Sequence, residues 1–405
     1  MSILLKSLRE LNNLFIINNN YYDNIYENIL ILYYNLNKHY AIANKNIAIL
    51  SKNNKYYLDI LFLALLKPIK LHNLSKVDNH EYYTNIIVEN NIDILIIDEE
   101  FKYLIPDTIC NKINIIIIGE DIKSGEDINS GKDIKDLYII DKSLNKDELI
   151  DKKVNDYDPR INIFYYTSNK SSSISIKLNI LEFQIENISS IINRDKYKII
   201  NWFHNIPLYN PISLSYILAI NYIKGNIFIN TLDNDLIKLC NDYKISHMRL
   251  TQPMFNNNID ILTSLKNKTI IYCELKKKNI LLNNVILNNI TKLHIVYDII
   301  LLNMYGPILY CNNVNLYDDE LGNKYIVHKL EACKNIIMKH KNKKQNNCDS
   351  LDFNIIKKFI YIKIKIVYDK WIKINYNYII NNNNIYIVNN VNNVNNVNNV
   401  NNVNN

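Results

Sequence analysis

Two nearly unbroken β-branched runs, Ile92–Asp98 (Ile-Asp-Ile-Leu-Ile-Ile-Asp) and Ile113–Ile118, set the tightest limit on how this chain folds. A strand with one wet face alternates apolar and polar residues, whereas a strand buried on both faces stays apolar throughout. Strands of that kind belong to parallel sheets covered by helices on either side. Helical spacing is present where it is needed. Asn24–Lys38 carries Ile25, Ile29, Leu32 and Leu36 on one face, and Tyr56–Leu66, Leu181–Ile192, Ser213–Tyr222, Asn234–Tyr243 and Asp260–Leu265 also read as helices. Further strands fall at Ala43–Leu50, Ile199–Phe203, Ile227–Ile229, Thr269–Cys273 and Lys357–Tyr368. The alternation predicts an α/β chain with mostly parallel sheets.

Composition bounds the rest. With 405 residues, 48% of them hydrophobic, the chain can bury one large core or two domains. Glycine is scarce, 6 residues where average usage of about 7% would give about 28. Few places are therefore left for backbone to lie directly against a ligand. The net charge of +7 is spread along the chain. The densest basic run, Lys339–Lys344, has no interleaved aromatic residue, so it reads as part of a solvated loop near 339–350 and not as a nucleic-acid surface. Asp121–Asp141 holds a crude repeat and reads as an exposed loop, its polar part near 121–137.

Cys110, Cys240, Cys273, Cys311, Cys333 and Cys348 form no metal-binding or disulfide spacing, which predicts a reducing compartment, the cytoplasm. No apolar run reaches the roughly 18–20 residues of a membrane span. Lys6 and Arg9 interrupt the first apolar stretch, against a secretory signal; Ile3, Leu4, Leu8 and Leu11 share one side of a possible amphipathic helix. From Asn389 to Asn405 the chain repeats Asn-Asn-Val, a low-complexity tail without the periodicity to support a core.

One segment carries chemistry. In Phe164–Lys177 an apolar strand (Ile161, Ile163, Phe164) runs into a hydroxyl-rich turn from Thr167 to Ser175, with Lys170 and Lys177 nearby. Hydroxyls and backbone N–H groups delivered by a strand can converge on a phosphate. Its sequence resembles the phosphate-binding loop of the adenylate-forming (AMP-binding) superfamily, Tyr-Thr-Ser-Gly-Thr-Thr-Gly-x-Pro-Lys-Gly. Tyr166, Thr167 and Ser168 match and Ser171 stands at a Thr/Ser position; Asn169, Ser172 and Ile176 replace the glycines, Ile174 the proline and Ser175 the lysine.

The resemblance continues in order from Tyr22 to Val388. Tyr22–Lys55 is similar to the family's opening helix and strand with its Asn turn. Asn205–Asn210 is similar to a Pro-Leu-Phe-His segment, with Asn210 in the place of the His. Lys244–Phe255 resembles a Thr-His and Val-Pro-x-Met region, and Asn303–Leu309 the Tyr-Gly-x-Thr-Glu motif. Ile360–Trp371 and Asn384–Val388 are similar to the strands flanking a Thr-Gly-Asp element. Taken singly, Tyr305-Gly306-Pro307 is a turn, His247 a packed or capping histidine and Pro207 a strand breaker.

The resemblance implies the large N-terminal domain of an acyl-CoA-synthetase-like protein over 1–388, with stacked mixed sheets and flanking helices, and 389–405 as a disordered tail. It implies ATP-dependent activation of a carboxylic acid to an acyl-adenylate, with Mg²⁺ as cofactor and CoA as acyl acceptor. Thr167, Ser168, Ser171, Tyr305 and Gly306 are the implied nucleotide-binding residues. Several functional positions depart from the family: Ile308 and Leu309 replace the Thr and metal-holding Glu, Tyr376 the ribose-binding Asp, and Asn390 an Arg. On this reading the family's small C-terminal domain with its catalytic Lys is expected to be missing. Each lost transition-state contact costs about 3–4 kcal/mol. The expectation is a ligase fold without catalytic or metal-binding residues. Three readings stay open: an impaired enzyme, a non-catalytic scaffold holding an acid, an acyl-adenylate or a protein partner, and an unrelated α/β protein. Glu274 and Lys276, near the implied acyl pocket, speak against a long-chain acid.

Overall fold

The computed structural model describes residues 15–17, 20–67, 69–118, 131–133, 137, 160–167, 170–176, 178–192, 199–210, 212–229 and 236–251. Beyond these it describes 254, 257–258, 262, 269–275, 293–297, 309–318, 324–332, 336–340, 359–364, 372–375, 378–381 and 384–390. Two compact units emerge, Met1–Ile185 with His204–Thr231, and Glu186–Phe203 with Leu232–Asn405.

In the first unit β1 (Phe15–Ile17) and β2 (Asn20–Tyr22) precede α1 (Ile25–Tyr40). Then β3 (Asn46–Leu50), α2 (Lys55–Leu66), β4 (Lys70–Leu74), α3 (His80–Glu89) and β5 (Ile94–Asp98) alternate. A 3₁₀ segment (Glu99–Leu104), α4 (Asp107–Cys110), β6 (Asn114–Ile118), β7 (Gly131–Asp133), β8 (Arg160–Thr167) and β9 (Lys170–Ile176) follow. The strands form one sheet in the order β7-β6-β5-β3-β4-β8-β9, parallel except for the antiparallel β8–β9 pair.

The isoleucine runs explain this sheet. Ile49, Ile96 and Ile116 stand side by side in register across β3, β5 and β6. Residues of the other parity, Ala48, Leu50, Leu95, Ile97, Ile115 and Ile117, join Tyr82, Tyr83, Ile86 and Ile87 of α3 in one core cluster. Both parities are buried, so alternation is absent from the sequence. Helix α2 is buried from Tyr57 to Leu66 and packs on α1, β4 and β8. Its one acid, Asp59, is fully buried and accepts a hydrogen bond from the Tyr22 hydroxyl, which ties β2 to the helix. A burial of this kind is worth about 1.5–3 kcal/mol per large aliphatic side chain.

Helix α5 (Leu178–Ile192) contains the division between the units. The chain then forms β10 (Asn201–His204), α6 (Ser213–Tyr222), β11 (Asn226–Ile229), α7 (Leu236–Asp242), β12 (His247–Thr251), β13 (Ile270–Leu275) and β14 (Leu293–Tyr297). In the first unit β1 pairs in parallel with β11 and antiparallel with β2. In the second unit β10, β12, β13 and β14 are parallel. They continue antiparallel through β15 (Leu309–Asp318) and β16 (Lys324–Ala332). Three strands, β17 (Ile336–His340), β18 (Phe359–Ile364) and β19 (Ile372–Asn375), form a separate antiparallel sheet. Last, β20 (Tyr378–Asn381) and β21 (Asn384–Asn390) complete the β16 edge.

The α/β class with parallel and mixed sheets agrees with the sequence reading. Several boundaries do not. The hydroxyl-rich stretch is mostly strand: β9 runs antiparallel to β8 and places Ile174 and Ile176 opposite Ile163 and Ile161, so pairing overrides the loop-like composition. Gly131–Asp133, within the presumed loop, adds to the β6 edge. Lys339 and His340 belong to β17, and β21 extends past Val388 to pair Asn389 with Ile326 and Asn390 with Tyr325. The first helix over Ile3–Leu11, most of Asp260–Leu265 and 391–405 lie outside the described residues.

Turns show the cost of scarce glycine. Asn24, Ala41, Asn44, Asn91, Lys224 and Lys244 have positive φ, between 48° and 64°. Three of them close α1, α6 and α7: Ala41, Lys224 and Lys244 sit where a helix commonly ends on glycine. Among the described residues no helix is long and apolar enough to cross a membrane.

Candidate functional site

The carboxyl edge of the parallel sheet in the first unit draws together the polar residues of interest. From β3 the chain goes to β4 on one side, then returns past β3 to β5 on the other. In open α/β sheets such a reversal leaves a crevice outside the carboxyl ends of the two strands. The turn Ser51–Asn54 leaves β3 at this point, and Asp98 ends β5 beside it.

Asp98 is buried and well supplied with donors. Its Oδ1 accepts from Ser51 Oγ at 2.7 Å and from Asn54 Nδ2 at 3.4 Å, and its Oδ2 accepts from the Lys52 backbone N–H at 2.6 Å. Burial raises its pKa above the ordinary aspartate value, against the lowering pull of the Lys52 amide and the Ser51 hydroxyl. Lys52 reaches outward to Glu100, Nζ to Oε1 2.7 Å. Asn54 caps α2 by accepting the Tyr57 N–H at 2.9 Å, and donates to Ser51 Oγ at 2.7 Å.

Asn53 acts across the chain. Its Nδ2 donates to the Ile206 carbonyl at 3.1 Å, and its Oδ1 accepts the Leu208 N–H at 2.8 Å. The segment Asn205–Asn210 is thereby held to the β3–α2 turn. Asn210, in the place of the family's His, accepts from the Ile212 N–H at 3.1 Å, and its carbonyl takes the Ser213 N–H at 3.0 Å, so it serves the start of α6. His204 Nε2 meets Ser213 Oγ at 2.6 Å, both buried. The Tyr57 hydroxyl is fully buried and has no hydrogen-bond partner among the described residues. Burial, then Tyr209 and Asp98, push its pKa well up. The buried amides of Asn73, near the end of β4, and Asn205 likewise find no partner among the described residues.

Of the residues implied by resemblance, Thr167 ends β8, beside β4, at this same edge. Thr167 is paired in register with Lys170, and Ser171 with Tyr166. Successive pairs alternate between the faces of a hairpin, so the two positions are adjacent but of opposite parity. Ser168, Tyr305 and Gly306 lie outside the described residues, as do Ile308 and Tyr376. His247 is a packed histidine: it is buried in the second unit, with Nδ1 2.7 Å from Ser246 Oγ. Sequence reasoning passed over Asp98 and Asn53. The available signal was position, since both are polar residues at or just past the carboxyl end of an apolar strand.

For Mg²⁺ the donor chemistry does not fit. Leu309, which only the resemblance sets at the place of a metal-holding Glu, has no oxygen donor, and among the described residues no group of three His, Cys, Asp or Glu side chains gathers to hold a metal ion.

No protein-family profile and no curated protein matches the sequence. Solved structures do match the fold. Coronafacic acid ligase from Pectobacterium brasiliense aligns with 96% of this chain and 78% of its own, at 14% identity and a TM-score of 0.70. O-succinylbenzoate coenzyme A synthetase from Bacillus subtilis, in complex with AMP, aligns over 96% and 78% at 12% identity and 0.66. The NpsA N-terminal subdomain from Klebsiella oxytoca, in complex with 3-hydroxybenzoyl-AMSN, aligns over 95% and 92% at 9% identity and 0.63. These are adenylate-forming enzymes. The chain has the fold of their large N-terminal domain.

Proposed function

We propose that this chain is an acyl-CoA-synthetase-like protein whose crevice receives a carboxylic acid or its acyl-adenylate and turns it over far more slowly than an ordinary ligase. The observation that carries this reading is the position of Thr167. It ends β8 on the sheet edge from which Asn53 grips Ile206 and Leu208, and it belongs to the segment that resembles a phosphate-binding loop.

By the same resemblance Thr167 and Ser168 face phosphate, and Tyr305 with Gly306 faces adenine; Ser171, paired with Tyr166, is of opposite parity to Thr167 in the hairpin, so the register does not carry both to one phosphate. In adenylation a carboxylate oxygen bonds to the α-phosphorus of ATP as the bond to pyrophosphate breaks; CoA then displaces AMP. Charge grows on phosphate oxygens in the first step, and donors and cations must meet it. Ile308, Leu309, Tyr376 and Asn390 offer no charge to it. At about 10²–10³ in rate per contact, and with strong non-additivity, the loss is several orders of magnitude.

A second reading, a non-catalytic scaffold that binds a ligand or a protein partner, draws on the same uncharged replacements. Cys110 and Cys240 are free thiols, consistent with a reducing compartment such as the cytoplasm. Pyrophosphate exchange across a panel of carboxylic acids, with and without Mg²⁺, tests the reading alongside calorimetric titration with ATP and an acyl-sulfamoyl adenosine. We expect heat from the adenylate analogue and exchange at least about 10³-fold below an ordinary ligase. Exchange at ordinary rates overturns the loss of catalysis, and the absence of heat from either nucleotide leaves the protein-binding scaffold.

A further inference from the structure

Asn53 is the only side chain for which a hydrogen bond to both Ile206 and Leu208 is seen among the described residues, and it makes both at once. Its neighbours on either side are fixed by Asp98: the Lys52 amide bonds directly to the carboxylate, and Asn54 reaches it with its side chain. A buried carboxylate thus holds the turn, and the turn holds the segment. We infer that Asn53 is a positioning residue for Ile206–Leu208, and that the ionised Asp98 carboxylate keeps it in place, making the segment's order depend on proton binding. The coupling itself needs no ligand; it rests on the proposed function only for what the segment would face.

The groups around Asp98 are Ser51, Lys52 and Asn54 from the turn, Tyr57 from α2 and Glu100 from the 3₁₀ segment, with Tyr209 near Tyr57. The Lys52 ammonium is engaged by Glu100. When Asp98 gains a proton, the bond from the Lys52 amide loses its charge assistance, and charge-assisted bonds are roughly twice as strong as neutral ones. The sign of the global effect is opposite. A carboxyl whose pKa is raised on folding binds its proton more tightly in the folded chain. Its contribution to stability is thus greatest at low pH and is lost as pH rises through the folded value. Acid loosens the latch without unfolding the protein through this group.

Amide hydrogen exchange of the full chain, read as protection factors from about pH 7 down to the onset of acid unfolding, tests the inference. The Lys52 and Leu208 amides should both lose about tenfold in protection in acid. Asp98→Asn should hold both at the low value at every pH. Asn53→Ala should expose the Leu208 amide throughout while Lys52 still responds to pH. His204, buried against Ser213, precedes the same segment, and His204→Gln should leave the response intact. Unchanged Leu208 protection in wild type across this range, or in Asn53→Ala, overturns the inference; the wild-type profile decides alone if a variant fails to fold. A normal exchange result with no heat from an adenylate analogue counts against the proposed function and not against this coupling.

Discussion

Lys224 and Lys244 show what a glycine-poor chain does at a left-handed corner. Each ends a helix with φ near 50–60° although it carries a Cβ. That conformation costs an L-residue roughly 1–2 kcal/mol, less for asparagine. Lys224→Gly or Lys244→Gly should stabilise the protein by about 0.5–1 kcal/mol, part of the relief being offset by the freer unfolded chain. A rise in the urea midpoint at constant slope would record it. His72 works in the other direction. It is buried on β4, and burial, with Lys70 nearby, pushes its pKa down to about 4 from 6.5. Between those values the unfolded chain binds a proton that the folded chain refuses, so stability falls as pH drops through this window. The loss from this one group should approach about 3 kcal/mol. Urea titrations of His72→Gln should lack that part of the slope.

Among elements, α2 repays attention because it is buried almost all round and so has no apolar stripe to read. Its existence was legible in the sequence, and Tyr56–Leu66 differs from the observed helix by one residue. Asn54→Ala should cost about 1–2 kcal/mol, since it removes the cap and two contacts of the Asp98 network. Thermal or chemical denaturation checks the figure; a loss under a few tenths would mean that water replaces the cap. Other elements were hidden for physical reasons. A serine-rich strand such as β9 is specified by its partner's register, which no local window contains. The same holds for β15 and β16, whose mixed Asn, Tyr and Lys content spreads over a ladder with an irregular register between Cys311 and Val314. In the site, Thr167 was legible as the end of a strand. Asp98 and Asn53 were not, because their roles depend on strand order and on Ile206 and Leu208, more than 100 residues away in sequence.

At the scale of the whole molecule, the order of weak resemblances carried more information than any one of them. The chain shares the fold of solved structures that it matches at 9–14% identity, and a core kept at the right volume and pattern tolerates exchange among Ile, Leu and Val. Cys240 offers a probe of that packing in the second unit. Burial pushes its thiol up to about 12, so at pH 8 only about one molecule in ten thousand carries the reactive thiolate. It should react with iodoacetamide only across the unfolding transition, and brisk labelling in native buffer would show that α7 opens locally. The left-handed corners bear on the same packing. The six among the described residues, all without glycine, sum to an internal burden of about 3–5 kcal/mol, on the scale of the 5–15 kcal/mol that typically separates a folded domain from its unfolded chain. Strain of this kind sits at the bends and not in the sheet, so easing one corner with glycine should raise the stability of the whole without touching the core.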